Sequence, residues 1–179
     1  MLLNTAPAQK LSSEALSLCD IVVPNQGELS LLADMPTSES FPCSCRCDKS
    51  PHHALFYVPT DSHQERVAAA QVLLGRGARC VVCTLGGEGA LLVSAELTQQ
   101  FPLPEQCRGV TAVDTVGAGD CFVASLAFFL ACGVDLVEAV GRANRVAALS
   151  VTKKGAQTSY PFSSELPGDL FEGCLLYRT

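Results

Sequence analysis

The sequence predicts an α/β domain built on a mainly parallel sheet, and three observations predict it. Short β-branched, apolar runs alternate along the chain with longer segments of helical pattern, which implies βαβ units. The helical segments open on capping side chains and stop at glycines. Of the 179 residues, 48% are hydrophobic and 17% charged, which favours one globular domain with a sizeable core over a disordered chain.

The elements follow in order. Ile21-Val22-Val23 reads as a short apolar strand, and Asn25 caps a helix through Ala33. His63 to Leu74 reads as an amphipathic helix ending at Gly75 and Gly77. Arg79 to Thr84 is a buried strand, and Gly86-Gly87-Glu88-Gly89 turns it into Ala90-Leu91-Leu92-Val93. Cys121 to Cys132 reads as a buried helix stopped by Gly133. Asp135 caps the next helix, which reaches about Val151, and a last helix is expected from about Ser163 to Cys174. One stretch breaks the pattern. Asp34 to Ser62 holds Pro36, Pro42, Pro51 and Pro59 and reads as an insertion without regular structure.

Composition narrows the function classes. A net charge of −6 argues against a non-specific nucleic-acid binder but does not exclude a nucleotide ligand. No run of 18 or more apolar residues occurs, so no membrane span is expected, and the first residues make a poor signal peptide. Ten cysteines are present, and Cys19, Cys80, Cys83, Cys121, Cys132 and Cys174 lie in apolar, element-like surroundings, which favours a reducing, cytoplasmic setting. Cys43-Ser44-Cys45-Arg46-Cys47 with His52 and His53 does not have the paired spacing of a structural zinc site. Cys80 and Cys83, three apart in a predicted strand, point to opposite faces and cannot share a metal.

The stretch richest in chemistry is Asp114-Thr115-Val116-Gly117-Ala118-Gly119-Asp120. Two carboxylates flank a turn of small residues that opens a helix, so helix N-terminal N–H groups stand beside an acid able to accept a proton. An anion site with a base suits phosphoryl transfer to a hydroxyl, while a capped glycine turn uses the same residues. Thr84-Leu85-Gly86-Gly87-Glu88-Gly89 reads either as a β-turn or as a loop whose backbone approaches a nucleotide. Asn25 and Glu28 read either as a capping box or as groups orienting phosphate and hydrated Mg²⁺. Lys153 to Ser159 reads either as a polar turn after a helix or as a cation loop.

Taken together and in this order, these motifs resemble the PfkB-type carbohydrate kinases, their ribokinase branch above all. Asn4 to Ala8 is similar to a strand end of that branch, Asn25-Gln26-Gly27-Glu28 to the family's Asn-x-x-Glu motif, and Asp114 to Asp120 to its signature. The resemblance implies a ribokinase-like three-layer α/β/α fold with ATP-dependent phosphorylation of D-ribose at O5. Asp120 would be the catalytic base and touch the substrate. Asn25, Thr84, Leu85, Gly86, Gly87, Glu88, Gly89, Gly119, Asp120 and Asn144 would contact ATP. Glu28 would serve Mg²⁺ through water. Asp114, Val116, Ser150, Lys153, Gly155 and Ser159 would surround an activating K⁺.

By the same resemblance, residues 1–179 are the nucleotide-binding and catalytic part of such a kinase. The N-terminal portion and lid, which carry most of the sugar site, are absent, and residues 41–62 have no counterpart. Expected partners are ATP or ADP, ribose and a second copy of the chain, with neither nucleic acid nor membrane, in the cytoplasm and nucleus. Other acceptors (another sugar or a nucleoside) and an inactive, nucleotide-binding or partner-pairing form are the alternatives.

Overall fold

The computed structural model describes residues 1–34, 62–107 and 111–175. Five strands, β1 (Leu2–Asn4), β2 (Ile21–Val23), β3 (Cys80–Thr84), β4 (Ala90–Ser94) and β5 (Thr98–Phe101), stand in the sheet in sequence order. The helices are α1 (Ser13–Ser17), α2 (Gln26–Leu32), α3 (His63–Gly75), α4 (Ala118–Ala131) and α5 (Leu136–Ser150). β1 pairs with β2 in parallel, Leu3 opposite Val22, and β2 pairs with β3 in parallel through Val22 and Val81. The fold is therefore α/β on a mainly parallel sheet, as the alternating pattern predicts. No helix among the described residues is long and apolar enough to cross a membrane.

The chain divides into two compact units, Met1–Cys83 with Val93–Thr98, and Thr84–Leu92 with Gln99–Thr179. In the first, Val22, Val81 and Val82 are fully buried, and Leu16, Leu29, Leu32, Ala69, Ala70 and Leu73 supply the helical side of the core. Both longer connections start from capping boxes: Asn25 with Glu28 opens α2, and Ser62 with Glu65 opens α3. Ser62, expected as the last residue of the insertion, is thus the N-cap of α3; the rest of 41–62, with its three cysteines and two histidines, lies outside the described residues. Arg76 ties the loops down by donating to the carbonyls of Leu32 and Leu11.

In the second unit α4 packs on α5. Cys121, Phe122, Leu126 and Phe129 of α4 and Ala139, Val140, Ala143 and Val146 of α5 are buried. Two expectations need correction here. α4 begins at Ala118, three residues before the expected Cys121, and it is not buried all round: Phe128 is 39% exposed. The expected helix from Ser163 to Cys174 is instead two short 3₁₀ turns, Ser163–Glu165 and Gly168–Phe171. Pro167 has no N–H to give a helix and holds the preceding Leu166 in an extended conformation (φ −90°, ψ 144°), so the helix cannot pass. Arg142 holds the segment in its place. Its guanidinium donates to the carbonyls of Leu170 and Glu172, both at 2.8 Å, pairs with Glu138 at 2.9 Å and lies over the Phe129 ring.

The strands β1 and β5 and the short helix α1 are elements that the patterning does not announce. The six cysteines expected in apolar surroundings are all buried, and none of them is in a disulfide. Burial pushes the Cys80 thiol up to about 11 and that of Cys83 to about 12, so neither forms a thiolate near neutrality.

Candidate active site

The Asp114–Asp120 turn is built from its first carboxylate outward. Asp114 Oδ1 accepts from the Val116 N–H at 3.0 Å, closing a local turn, and Oδ2 accepts from the Gly155 N–H at 2.9 Å. The second bond joins the turn to the loop after α5. Two further bonds lie beside it, from the N–H groups of Val113 and Asp114 to the Val151 carbonyl, at 2.8 and 3.3 Å. The backbone N–H of Val116 and then that of Gly155 hold the Asp114 carboxyl below the usual carboxylate range, with the charge of Lys154 adding to them.

Gly117 is the N-cap of α4 in the left-handed region at φ 82°, which alone favours glycine. Space gives a second reason. A Cβ there would stand 2.9 Å from the Tyr160 hydroxyl oxygen and 3.1 Å from Ala156, so the loop after α5 touches the turn. Gly119 has no atom within 4 Å of an added Cβ, and its face of the helix end is open. Asp120 is exposed in the first turn of α4, among the N–H groups that no intrahelical carbonyl can satisfy. A helix N-terminus and an exposed acid are therefore presented together. The Tyr160 hydroxyl lies beside the same turn, at the Gly117 position, and its phenol is raised by burial, then by the charges of Asp120 and Cys121. Tyr160 contacts this turn although the motifs do not single it out; its position directly after Ser159 is the signal the sequence offers.

The residues expected around a monovalent cation come together in part. Asp114, Val116 and Gly155 are joined by hydrogen bonds, and Ser150 and Ser159, both 1% exposed, donate their hydroxyls to Ala147 and Ala156 carbonyls. Donation leaves the hydroxyl lone pairs available. A carboxylate, hydroxyl and carbonyl oxygens are the donors a hard cation takes, and this set fits K⁺ by chemistry. Lys153 offers only its backbone carbonyl, because an ammonium has no lone pair to give a cation; its own charge pairs with Glu165 at 2.6 Å. No cluster of three or more His, Cys, Asp or Glu side chains suited to a metal occurs among the described residues.

The Thr84–Gly89 loop leaves β3 as a 3₁₀ turn over Gly86–Glu88, closed by the Leu85 N–H donating to the Gly89 carbonyl at 2.8 Å. Gly86, Gly87 and Glu88 are exposed, while Leu85 is buried and turned inward. Asn144, expected as an ATP contact, is 5% exposed, and its amide donates to the carbonyls of Phe101 and Pro102. In the other unit, Asn25 Oδ1 accepts from the Glu28 N–H and Glu28 Oε2 from the Asn25 N–H, each at 2.9 Å. The capping reading of this pair is realised. The Thr5 hydroxyl also donates to Glu28 Oε2, at 2.8 Å, a contact across 23 residues that no local pattern reveals.

The fold and this turn define an α/β protein that presents an acid at a glycine-opened helix end, and comparison with known proteins gives the family. The family model described as pfkB family carbohydrate kinase matches residues 1–163, and the chain belongs to that family. It is similar to the ribokinase of Mus musculus, 46% identical over 107 residues, covering 58% of this chain and 32% of that protein. It is similar to the deoxyribokinase of Salmonella typhi, 34% identical over 162 residues, covering 90% of this chain and 44% of that protein. Among solved structures, ribokinase from Thermotoga maritima matches with a TM-score of 0.70 and 30% identity, over 92% of this chain and 46% of that one. Phosphofructokinase-2 from Escherichia coli, solved in complex with potassium, matches with a TM-score of 0.58 and 26% identity, over 83% and 41%. The chain thus spans less than half the length of the relatives it matches.

Proposed function

We propose that this chain carries the nucleotide site and the catalytic base of a kinase that transfers the γ-phosphoryl group of ATP to O5 of D-ribose. The observation that supports this most is the exposed Asp120 in the first turn of α4, behind a glycine turn fixed by Asp114 and Ala156. In this reading the ribose 5-hydroxyl gives its proton to the Asp120 carboxylate as its oxygen bonds to the γ-phosphorus, and the bond to the bridging oxygen breaks to release ADP. The N–H groups of Gly119 and Asp120 face the negative charge on the transferring group, while that of Ala118 is held by the Thr115 carbonyl. The Thr84–Gly89 loop and Asn25 serve the nucleotide. Glu28, with one oxygen shared between Asn25 and Thr5, serves Mg²⁺ through water rather than directly. K⁺ at Asp114, Val116, Ser150, Lys153, Gly155 and Ser159 would brace the turn, as the potassium complex of the structural relative suggests. Ribose is preferred over deoxyribose because the relative with the higher identity is a ribokinase. Buried cysteines outside any disulfide favour a reducing compartment, the cytoplasm or nucleus.

The test is phosphoryl transfer by the full chain with ATP, Mg²⁺ and K⁺ against ribose, 2-deoxyribose and a riboside. Ribose should turn over fastest, and Asp120→Asn should lose about a thousandfold or more in kcat, on the scale of a general base combined with alignment. Asp120→Asn turnover equal to that of the parent chain would remove the base assignment. A second reading has its own support. Because the chain spans 32% and 44% of the relatives' lengths, this reading has it bind nucleotide or pair with another subunit, a second copy included, without turnover. Tight nucleotide binding with no transfer to any acceptor would select that reading.

A further inference from the structure

We propose that Cys132 and Cys174 are a redox pair, which a small-molecule disulfide converts into an intramolecular disulfide that staples the segment after Pro167 to the C-terminal end of α4. Both residues belong to the unit that holds the Asp114–Asp120 turn. Cys132 is the C-cap of α4, and Cys174 follows Gly173, which adopts φ 74°. The Leu175 N–H donates to the Cys132 carbonyl at 3.0 Å, which brings the two cysteines side by side although they lie far apart in the chain. Each Cα stands only two covalent bonds from an atom of that hydrogen bond, which brings the pair toward the separation of ~4.4–6.8 Å that a disulfide spans. The side chains meet as well. The two thiols are hydrogen-bonded to each other, and Arg142 Nη1 lies 3.7 Å from Cys174 Sγ.

Other buried thiols are engaged differently. Cys19 Sγ donates to the Ala15 carbonyl at 3.2 Å, and Cys121 faces the Ser150 and Ser125 hydroxyls. Cys80 and Cys83, three apart in β3, point to opposite faces. Cys174 is the thiol that an oxidant reaches first. It is itself buried, but exposed Gly173 and Leu175 flank it, and its segment is built of a short 3₁₀ turn, which opens locally at less cost than a long helix or a central strand. Burial, and then the neighbouring Cys132, push its thiol up from the ordinary value, while the Arg142 guanidinium favours the thiolate. The chemistry is a double exchange. The Cys174 thiolate attacks one sulfur of the small disulfide, whose S–S bond breaks and releases one thiolate. The Cys132 thiolate then attacks Cys174 Sγ in the mixed disulfide and releases the second. The released thiolates take up the two protons that the protein thiols lose, and two electrons pass from the protein to the reagent. In a reducing compartment such a bond is transient and reports oxidising conditions.

The experiment incubates the reduced full chain with oxidised glutathione, blocks the remaining thiols and maps every cysteine by peptide mass spectrometry. The expected product is a Cys132–Cys174 cross-link without retained glutathione. In Cys132→Ser, which nearly keeps the size of the side chain, glutathione should stay on Cys174. In Cys174→Ser, Cys132 should stay a thiol. A glutathione adduct that persists on Cys174 of the parent chain, a cross-link from either cysteine to a different one, or both thiols left unchanged would each overturn the proposal. If the serine variants do not fold, the map of the parent chain decides alone. Thermal unfolding gives the second readout, with Cys132→Ser treated in the same way as the reference for oxidation elsewhere. The oxidised parent chain should melt about 5 °C or more above the reduced one, because the new bond closes a long loop of the unfolded chain. Arg142→Met should lower the midpoint less in the oxidised chain than in the reduced one, since the disulfide then holds the segment that Arg142 otherwise ties down. Equal midpoints for the cross-linked and reduced chains would overturn the staple.

Discussion

Asp114 ties two segments together, and its contribution depends on pH with a definite sign. Its folded carboxyl lies below the unfolded value of about 3.9 because the Val116 and Gly155 N–H groups favour the charged form. A depressed carboxyl stabilises the fold above the unfolded value, and that stabilisation is lost as pH falls through the folded one. Asp114→Asn should therefore lower the thermal midpoint at pH 6 and converge with the parent chain as pH falls toward 3; a gap that stays constant with pH would contradict the hydrogen-bond account. Gly117→Ala faces both a positive φ and the Tyr160 and Ala156 contacts, and should cost about 1–3 kcal/mol in denaturant unfolding. At this scale the sequence makes the acids legible, because the spacing Asp114 to Asp120 around glycines is local. Thr5 and Tyr160 are not legible, since their partners Glu28 and Gly117 lie 23 and 43 residues away and no period relates them.

Helix ends were read where side chains mark them. Asn25 with Glu28, and Asp135 before α5, announce their helices by capping chemistry, and both are observed. β5 escaped because Thr98-Gln99-Gln100-Phe101 buries only Phe101 and, at the end of the strand order, presents a polar run. The expected helix over 163–174 is broken at Pro167, which holds Leu166 extended. What holds that segment is Arg142, whose guanidinium serves the carbonyls of Leu170 and Glu172. Arg142→Met should keep the contact with Phe129 but strand those carbonyls, at a cost of about 2 kcal/mol in chemical denaturation. A loss under about 0.5 kcal/mol would mean that water replaces the guanidinium without penalty.

For the whole molecule, the family and the α/β fold were legible because five ordered motifs and an alternating pattern agree, whereas the activity of a chain spanning less than half of its relatives is a property that no motif reports. The central claim is that the turn from Asp114 to Asp120, braced by the loop after α5, forms with the Thr84–Gly89 loop a working site for nucleotide and cation. The most direct measurement is the thermal midpoint of the purified chain with and without Mg·ATP, in K⁺ and in an equal concentration of a large organic cation. Ligands that bind only the folded state raise the midpoint, by about 2.7 kcal/mol of stabilisation at a hundred times Kd. The account predicts a cooperative transition that Mg·ATP raises, and raises further in K⁺. A cooperative transition that neither ligand moves would contradict it.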